Sequence, residues 1–259
     1  MSPPHDSTLP PGVYMTRLQN GNLVPSESLV KLIVTARENY DWPKGTGAAE
    51  SQQTILNLET RVANFLASLY VRSAHWIVKD VSVWGGNNKK AQGEIDKASS
   101  QDQTRMLAAI RLIINSSTLK AGLDELSGLG GLRLVMATKV FRFCCSTTGA
   151  AVDQNASYFF NSLEIVGLEG ERNKSTSFKR EWPKRSHNTS RLAIYYSQGH
   201  ARNCKEFVEV YLPLLTQIAH SLNEMGVTYR CAATGMHKSW RPADVEMAAY
   251  YWWAHNGPR

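Results

Sequence analysis

The amino-acid sequence predicts a mainly α-helical protein, and three observations support this fold class. Apolar residues recur every three or four positions in several long stretches, whereas strict alternation of apolar and polar residues is scarce. The chain has 259 residues, 42% of them apolar, so it can bury a sizeable core in one large domain or in two lobes that share a core. No internal repeat or low-complexity tract interrupts this pattern.

The beginning of the chain predicts an arm followed by a helix. Residues 1–25 are rich in proline, glycine and small polar residues and predict a loose arm that lacks the features of a signal peptide. Ser26 can cap a helix that runs to Asn39, because Leu29, Leu32 and Ile33 fall on one face. Residues 40–49 contain one proline and two glycines and therefore predict a loop.

Helical spacing continues through the rest of the chain, which we treat as one domain over residues 26–259. A strong amphipathic helix is predicted over residues 54–71, while residues 75–83 fit either a helix end or a short strand. Further helices are predicted over residues 103–114, 118–126, 134–145, 153–166, 204–225 and 241–255. Residues 171–191 predict a polar, basic insertion, and residues 192–198 fit a helix or a strand.

Charge and cysteine content restrict the class of partner. Lysine and arginine number 29 against 22 acidic residues, which gives a net charge of +7 and favours a polyanion such as nucleic acid, although a merely basic soluble enzyme fits equally well. The spacing of the four cysteines (Cys144, Cys145, Cys204 and Cys231) suggests neither a disulfide framework nor a zinc site. We therefore expect a reducing compartment, the cytoplasm or nucleoid, with no cofactor, no metal and no membrane partner.

The central chemical signal is a lysine and an aspartate on successive predicted helices. Lys139 lies near the start of a buried helix, directly before an apolar run, and Asp153 opens the next helix after a short turn. This layout places an amine and a carboxylate at facing ends of two helices, with Asp153 where a helix N-terminus favours its ionised form. The alternative is that Lys139 extends its charge to solvent and that Asp153 is a plain N-cap.

These residues carry a resemblance to a known family. Thr138-Lys139-Val140 followed by Ala151-Val152-Asp153 is similar to the core of the 8-oxoguanine DNA glycosylases, which belong to the helix-hairpin-helix superfamily. A bacterial branch with this fold has a Trp-Gly-Gly motif upstream and an Arg-x-x-Asp-Val-Glu helix downstream. This chain has Trp84-Gly85-Gly86 and the pattern from Arg241 to Glu246 in those places. The order of the motifs, over roughly residues 54–253, gives the resemblance its specificity.

The resemblance implies a two-lobed helical bundle of the helix-hairpin-helix DNA glycosylase type. In that family two glycines form the hairpin ahead of the lysine, and here Val135 and Ala137 occupy their positions. The hairpin could instead be built from residues 126–130, which contain Gly128 and Gly130. Those glycines would let backbone amides approach a DNA phosphate.

The resemblance assigns Lys139 as the nucleophile and Asp153 as the catalytic aspartate. A fixed carboxylate stabilises the positive charge that develops on the sugar when an N-glycosidic bond breaks. A lysine that loses its charge on burial can attack the sugar carbon and form a Schiff base, which leads to strand cleavage at the abasic site. If Lys139 stays protonated, it holds the phosphate instead and Asp153 activates water.

A base pocket is expected around the glycine-rich stretch. The ring of Trp84 can stack on a flipped base, Gly85 and Gly86 permit close approach, and the amide of Asn87 can read a base edge. A turn capped by a core tryptophan is the alternative. The remaining pocket candidates are Asp244 and Glu246, for which acidic residues at a helix N-terminus are the simpler interpretation.

The basic insertion is the expected DNA contact. It carries cationic and aromatic side chains that can neutralise phosphates or fill the gap left by a flipped base; a solvated loop is the alternative. The candidates are Lys174, Lys179, Arg180, Trp182, Lys184 and Arg185.

The sequence thus predicts a monomeric enzyme that excises a base from double-stranded DNA. An oxidised purine is the default substrate by resemblance, and another modified base, including one found in foreign DNA, also fits, so both a repair role and an anti-phage role are open. The competing hypothesis is a nucleic-acid-binding module with the same fold and no catalysis. An unrelated helical enzyme with a small-molecule substrate is a third possibility, and it predicts no salt-sensitive affinity for DNA.

Overall fold

The computed structural model describes residues 9–18, 20–43, 45–86, 89–167 and 200–257, and these residues are mainly helical, which confirms the predicted class. The helices are α1 (Glu27–Glu38), α2 (Ala48–Ser68), α3 (Val71–Trp84), α4 (Lys89–Asp96), α5 (Ser100–Ile113), α6 (Leu119–Ser127), α7 (Leu134–Cys144), α8 (Gln154–Asn161), α9 (His200–Glu206), α10 (Leu212–Glu224) and α11 (Pro242–Asn256). A 3₁₀ turn over Ser116–Thr118 precedes α6, and a π-helical segment over Phe207–Tyr211 joins α9 to α10.

Local sequence explains where several helices begin and end. The hydroxyl of Ser26 accepts a hydrogen bond from the amide of Leu29 and caps α1 as predicted. A reciprocal capping box between Ser99 and Asp102 starts α5. Leu69 adopts a left-handed conformation, with φ of 52°, and ends α2 before the predicted limit at residue 71. The ambiguous residues 75–83 consequently lie within a separate helix, α3.

The strands form two small sheets. The strands are β1 (Tyr14–Arg17), β2 (Leu23–Pro25), β3 (Glu164–Gly167), β4 (Tyr229–Arg230) and β5 (His237–Lys238). In the first sheet β1 is central, antiparallel to β2 and parallel to β3, with Met15 opposite Pro25 on one side and Ile165 on the other. Strands β4 and β5 form an antiparallel pair.

This first sheet differs from two sequence predictions. Residues 9–25 were expected to be part of a loose arm, but Met15 and Leu23 are buried in the core and β1 and β2 are paired. The helix predicted over residues 153–166 ends at Asn161, and the apolar residues beyond it form β3. The second difference follows from the pairing of β3 with β1, because a local pattern does not reveal a strand partner that is distant in sequence.

The elements pack in two groups, which are linked by the π-helical segment between α9 and α10 and by the contact of Arg142 on α7 with Met247 on α11. In the first group α3 packs on α4, α5 and α7, and α2, α6 and α9 complete this layer. In the second group α11 packs on α1, α8 and α10, and the three-stranded sheet lies against α1 and α10. A continuous core of buried apolar residues runs through both groups.

Candidate functional site

A hydrogen bond fixes the start of α8 against α7. The hydroxyl of Thr138 accepts a hydrogen bond from the amide of Val152 at 3.2 Å and donates to the carbonyl of Val135 at 2.9 Å. Thr138 precedes Lys139 and Val152 precedes Asp153, so this contact joins the two motifs that carry the sequence resemblance. The structure therefore holds Lys139 and Asp153 on adjoining segments.

The Lys139 side chain is buried between α3 and two tryptophans. Only 7% of Lys139 is exposed, and its Nζ donates a hydrogen bond to the carbonyl of Gly85 at 2.8 Å. The amine also lies 5.6 Å from the ring centre of Trp42 and 5.7 Å from that of Trp84. The predicted alternative of a solvated lysine head is therefore wrong for this structure.

Gly85 lets the Lys139 side chain pass close to the end of α3. A Cβ atom at this position would lie 2.9 Å from Sδ of Met136 and 3.0 Å from Cδ of Lys139. Gly86 has a φ of 72°, and a Cβ there would lie 2.8 Å from the Trp42 ring. The two glycines thus serve close packing around the lysine, with Trp42 on one side and α7 on the other.

Asp153 caps α8 and interacts electrostatically with Lys139. Its carboxylate accepts a hydrogen bond from the amide of Asn155 at 2.7 Å, which confirms the N-cap interpretation. Burial raises the pKa of Asp153, while the charge of Lys139 and hydrogen bonds from the Asn155 and Ala156 amides oppose that rise. No ion pair of 4.0 Å or less joins Lys139 and Asp153, both of which lie in the described part of the chain. The two groups interact through their charges without direct contact.

Trp84 packs against the core and also lies beside the Lys139 amine. Its ring packs edge-on against the core residue Phe143, with ring centres 4.9 Å apart, and its carbonyl accepts a 2.6 Å hydrogen bond from Nε1 of Trp42. Nε1 of Trp84 itself is buried and has no hydrogen-bond partner among the described residues. Trp84 therefore caps the core, as one interpretation of the sequence predicts, and also forms one wall beside the lysine.

Two further ionisable side chains complete this cluster. Glu246 on α11 is 6% exposed and Arg142 on α7 is 1% exposed. Burial raises the pKa of Glu246 to about 8, with Asp153 adding to the rise and Arg142 and Lys139 opposing it. Burial lowers the pKa of Lys139. The charges of Asp153 and Glu246 oppose this decrease, and the charge of Arg142 adds to it. A buried group of opposing charges with shifted pKa values is typical of functional sites.

Asp244 belongs to a different cluster, which corrects its predicted place in a base pocket. Its carboxylate accepts hydrogen bonds from Nε of Arg37 and from the hydroxyl of Tyr229, both at 2.9 Å. It also pairs with Nε of Arg241 at 2.8 Å and accepts the Arg241 amide in a capping box at the start of α11. Asp244 is fully buried and stabilises this end of α11, and its partners hold its pKa well below the usual range.

The two placements that the sequence offered for a hairpin lie in different elements. Val135 and Ala137 lie inside α7. Gly128, Gly130 and Gly131 lie in the turn between α6 and α7, after Ser127. A Cβ at Gly130 would lie 4.0 Å from a carboxylate oxygen of Glu94, so an acidic side chain stands beside this turn.

Several predicted residues lie outside the described part of the chain. Asn87 is one, and the whole basic insertion over residues 171–191 is another, including Lys174, Lys179, Arg180, Trp182, Lys184 and Arg185. Among the described residues, no group of histidine, cysteine, aspartate or glutamate is arranged to hold a metal ion. None of the helices described here combines the length and apolar character needed to cross a bilayer.

Sequence reasoning missed Arg142 and Trp42. Arg142 interrupts an otherwise apolar run in α7, and a charge in such a run is a signal that could have identified it. Trp42 lies in the loop after α1, and nothing local indicates that its ring reaches α3. Tyr250 was also missed, and its ring packs edge-on against Trp42 at 5.5 Å.

The chain matches no protein-family model, and no curated protein or solved structure is significantly similar to it. Function must therefore be inferred from the ionisable residues around Lys139. We call Lys139, Arg142, Asp153 and Glu246 the lysine cluster.

Proposed function

We propose that the protein is a DNA glycosylase that excises a damaged or modified base and then cleaves the abasic strand through a lysine Schiff base. One observation carries the proposal: the buried amine of Lys139 lies beside the Trp84 ring and is under the electrostatic influence of the Asp153 carboxylate at the start of α8. The two groups of packed elements would then correspond to the two lobes of a helix-hairpin-helix glycosylase, with the lysine cluster at their boundary.

The mechanism begins with a base swung out of the duplex. The enzyme must unstack the target nucleotide and hold its base against an aromatic surface, for which the Trp84 and Trp42 rings are the candidates. Glu246, which is largely protonated at neutral pH, offers one donor and one acceptor to the base edge. In this proposal α11 contributes Glu246 to the pocket, whereas Asp244 anchors the helix.

Bond cleavage then uses the amine and the carboxylate. The lone pair of neutral Lys139 forms a bond to C1′ of the sugar while the bond from C1′ to the base breaks and the base leaves with its electron pair. The ionised Asp153 stabilises the positive charge on the sugar in this transition state. Proton loss from the attached nitrogen and opening of the sugar ring give the Schiff base, from which β-elimination breaks the strand. The alternative, in which Asp153 activates water and Lys139 remains charged, gives excision without a covalent intermediate.

The substrate and partner follow from resemblance and charge. We propose double-stranded DNA as the partner of a monomeric enzyme, with an oxidised purine as the default base and a modified base of foreign DNA as the other candidate. The excess of cationic residues supports a polyanion partner. The basic insertion would supply phosphate contacts, and a protein acting on DNA would work in the cytoplasm or nucleoid.

The test is borohydride trapping on a panel of duplexes, each with one modified base. The wild-type protein is expected to form a covalent complex with at least one duplex when borohydride is present. Without borohydride it should break the strand before any alkali is added. Lys139→Ala should abolish trapping, while Lys120→Ala, which changes an exposed lysine paired with Asp124, should not. Asp153→Asn is the second variant, because asparagine still caps α8 but carries no charge.

The result of this test also separates the two chemical routes. A loss of strand cleavage of about 100-fold or more in Asp153→Asn, with a folded protein, is the expected result for a carboxylate that stabilises the transition state. Excision without trapping in the wild-type protein would replace lysine attack by water attack. A protein that excises nothing from the full panel would overturn the glycosylase proposal.

The second candidate function is a nucleic-acid-binding module without catalysis, and one observation favours it. The Lys139 amine satisfies the carbonyl of Gly85 at the end of α3, and Asp153 caps α8, so both groups already have structural roles. A module of this kind predicts salt-dependent DNA binding that Lys139→Ala leaves intact, together with a large loss of thermal stability in that variant.

A further inference from the structure

Arg142 is a buried cation on the same face of α7 as the lysine. It follows Lys139 by three positions, which places the two side chains next to each other on the helix. Its guanidinium carbon lies 5.0 Å from the ring centre of Trp84 and 4.5 Å from that of Phe143. Two aromatic faces thus stabilise its charge in place of solvent.

The guanidinium has unusually few polar partners. Nη2 donates to Sδ of Met247 at 3.1 Å, whereas Nε and Nη1 are buried and have no hydrogen-bond partner within the described residues. No carboxylate of that part of the chain lies within 4.0 Å of Arg142 to form an ion pair. The guanidinium therefore places a positive charge in the interior with little direct compensation from polar neighbours.

We propose that Arg142 is a positioning residue whose positive charge, beside the Trp84 ring that Lys139 also contacts, favours the neutral, nucleophilic form of the Lys139 amine. The inference rests on the proposed function, since only a lysine that attacks the sugar needs to be neutral. Two like charges in a poorly solvated interior repel each other strongly, and of the two only the lysine can lose its proton. Arg142 would therefore act through Lys139 and would not touch the substrate.

The surroundings of Lys139 contain influences of both signs. Arg142 on α7 and burial favour the neutral amine, whereas Asp153 at the start of α8 and Glu246 on α11 favour the cation. The carbonyl of Gly85 on α3 accepts a hydrogen bond from either form, and the ring faces of Trp42 and Trp84 attract the cation. Protonation of Glu246 at neutral pH removes one of the opposing charges, so that Asp153 is the carboxylate that still opposes burial and Arg142.

The first measurement follows the amine itself and needs no DNA. Proteins labelled with ¹⁵N at the lysine Nζ are titrated by NMR, and the Lys139 signal is assigned from its loss in Lys139→Arg. Arg142→Met removes the guanidinium but leaves an unbranched side chain. This variant should raise the pKa of Lys139 by at least about one unit, which means about tenfold less neutral amine at a given pH. Arg142→Gln is the second neutral variant, and Arg142→Lys should retain part of the effect.

The second measurement is the pH profile of borohydride trapping on a duplex that the wild-type protein cleaves. Arg142→Met is expected to trap about tenfold more slowly near pH 7 and to approach the wild-type rate as the pH is raised and the amine of the variant loses its proton. A purely structural role for Arg142 would give a loss that persists at high pH.

The outcomes separate this inference from the proposed function. An unchanged pKa of Lys139 in folded Arg142→Met and Arg142→Gln would overturn the inference. A raised pKa in those variants, with no base excised by the wild-type protein from any duplex, would support the role of Arg142 and reject the glycosylase.

Discussion

Glu246 provides the sharpest prediction of how stability depends on pH. An acid whose pKa is higher in the folded state holds its proton more tightly there than in the unfolded chain. The folded protein therefore loses stability as the pH rises from the unfolded pKa toward the folded pKa. For Glu246 this range runs from the model-peptide value of 4.5 to about 8. Glu246→Gln cannot ionise, so it should lack this loss.

The size of the effect follows from the pKa difference. Each unit of pH inside this range costs about 1.4 kcal/mol of unfolding free energy. Near pH 7 the wild-type protein should therefore have lost about 3 kcal/mol relative to its stability at acid pH, and near pH 5 less than about 1 kcal/mol. In a protein of this size the difference near pH 7 corresponds to roughly 5–10 °C in Tm.

The assay is urea unfolding of the wild-type protein and Glu246→Gln at pH 5, 7 and 8.5. The quantity to follow is the difference in unfolding free energy between the wild-type protein and Glu246→Gln, and how this difference changes with pH. Any cost of the amide that does not depend on pH cancels in this comparison. Glu224→Gln is the matched control, because the Glu224 side chain is 62% exposed in its ion pair with His220. Parallel pH dependences for the wild-type protein and Glu246→Gln would show that Glu246 is ionised throughout and would refute this reasoning.

Three further variants probe the packing around the lysine cluster. Gly85→Ala should slow borohydride trapping at least about tenfold, because its Cβ would lie 3.0 Å from Cδ of the proposed nucleophile; Gly93→Ala, with open space at its Cβ, should not, and equal rates would contradict the argument. Thr138→Val should cost about 1–3 kcal/mol in urea unfolding, since a buried amide at the start of α8 loses its acceptor. The exposed Thr60→Val is its control, and equal losses would mean that the buried contact adds nothing. Asp244→Asn should cost about 3–5 kcal/mol near pH 7 by breaking a buried ion pair. The difference should shrink as the pH falls below about 4, because the Asp244 carboxylate then takes up a proton in the unfolded chain while it stays ionised in the folded protein.

The helices were predictable because their signals are local. Apolar residues of α1 such as Leu29 and Ile33 repeat at helical spacing and are buried together, and Ser26 marks the N-terminus. The limits of α2 and α3 were less accurate, since the break at Leu69 depends on a left-handed residue that sequence does not favour. Strand β3 was missed because its partner β1 lies about 150 residues away along the chain.

The members of the candidate site that could be predicted are those marked by a local sequence pattern. Those that depend on how distant elements pack could not be predicted. Lys139 and Asp153 stand out as an isolated amine and a helix-opening acid, and the structure holds them on adjoining segments. Asp244 and Glu246 are two positions apart on one helix, which turns their side chains about 200° from each other. One therefore joins the arginine pairs at the start of α11 while the other enters the lysine cluster, and no sequence pattern could have distinguished them.

Arg142 also allows a test of whether the lysine cluster serves stability or chemistry. If Lys139 were purely structural, a carboxylate partner and no second cation would stabilise it best. The guanidinium of Arg142, three residues away and without an ion-pair partner in the described part of the chain, therefore has an energetic cost that folding alone does not explain. If the cost is retained for chemistry, Arg142→Met should leave the free energy of unfolding unchanged or raise it by about 1–3 kcal/mol, while trapping near pH 7 becomes slower. Urea unfolding and the trapping rate, measured on the same preparation, give both quantities. A variant that loses stability and traps at the wild-type rate would reverse this assignment, because the buried charge would then serve the fold and not the lysine.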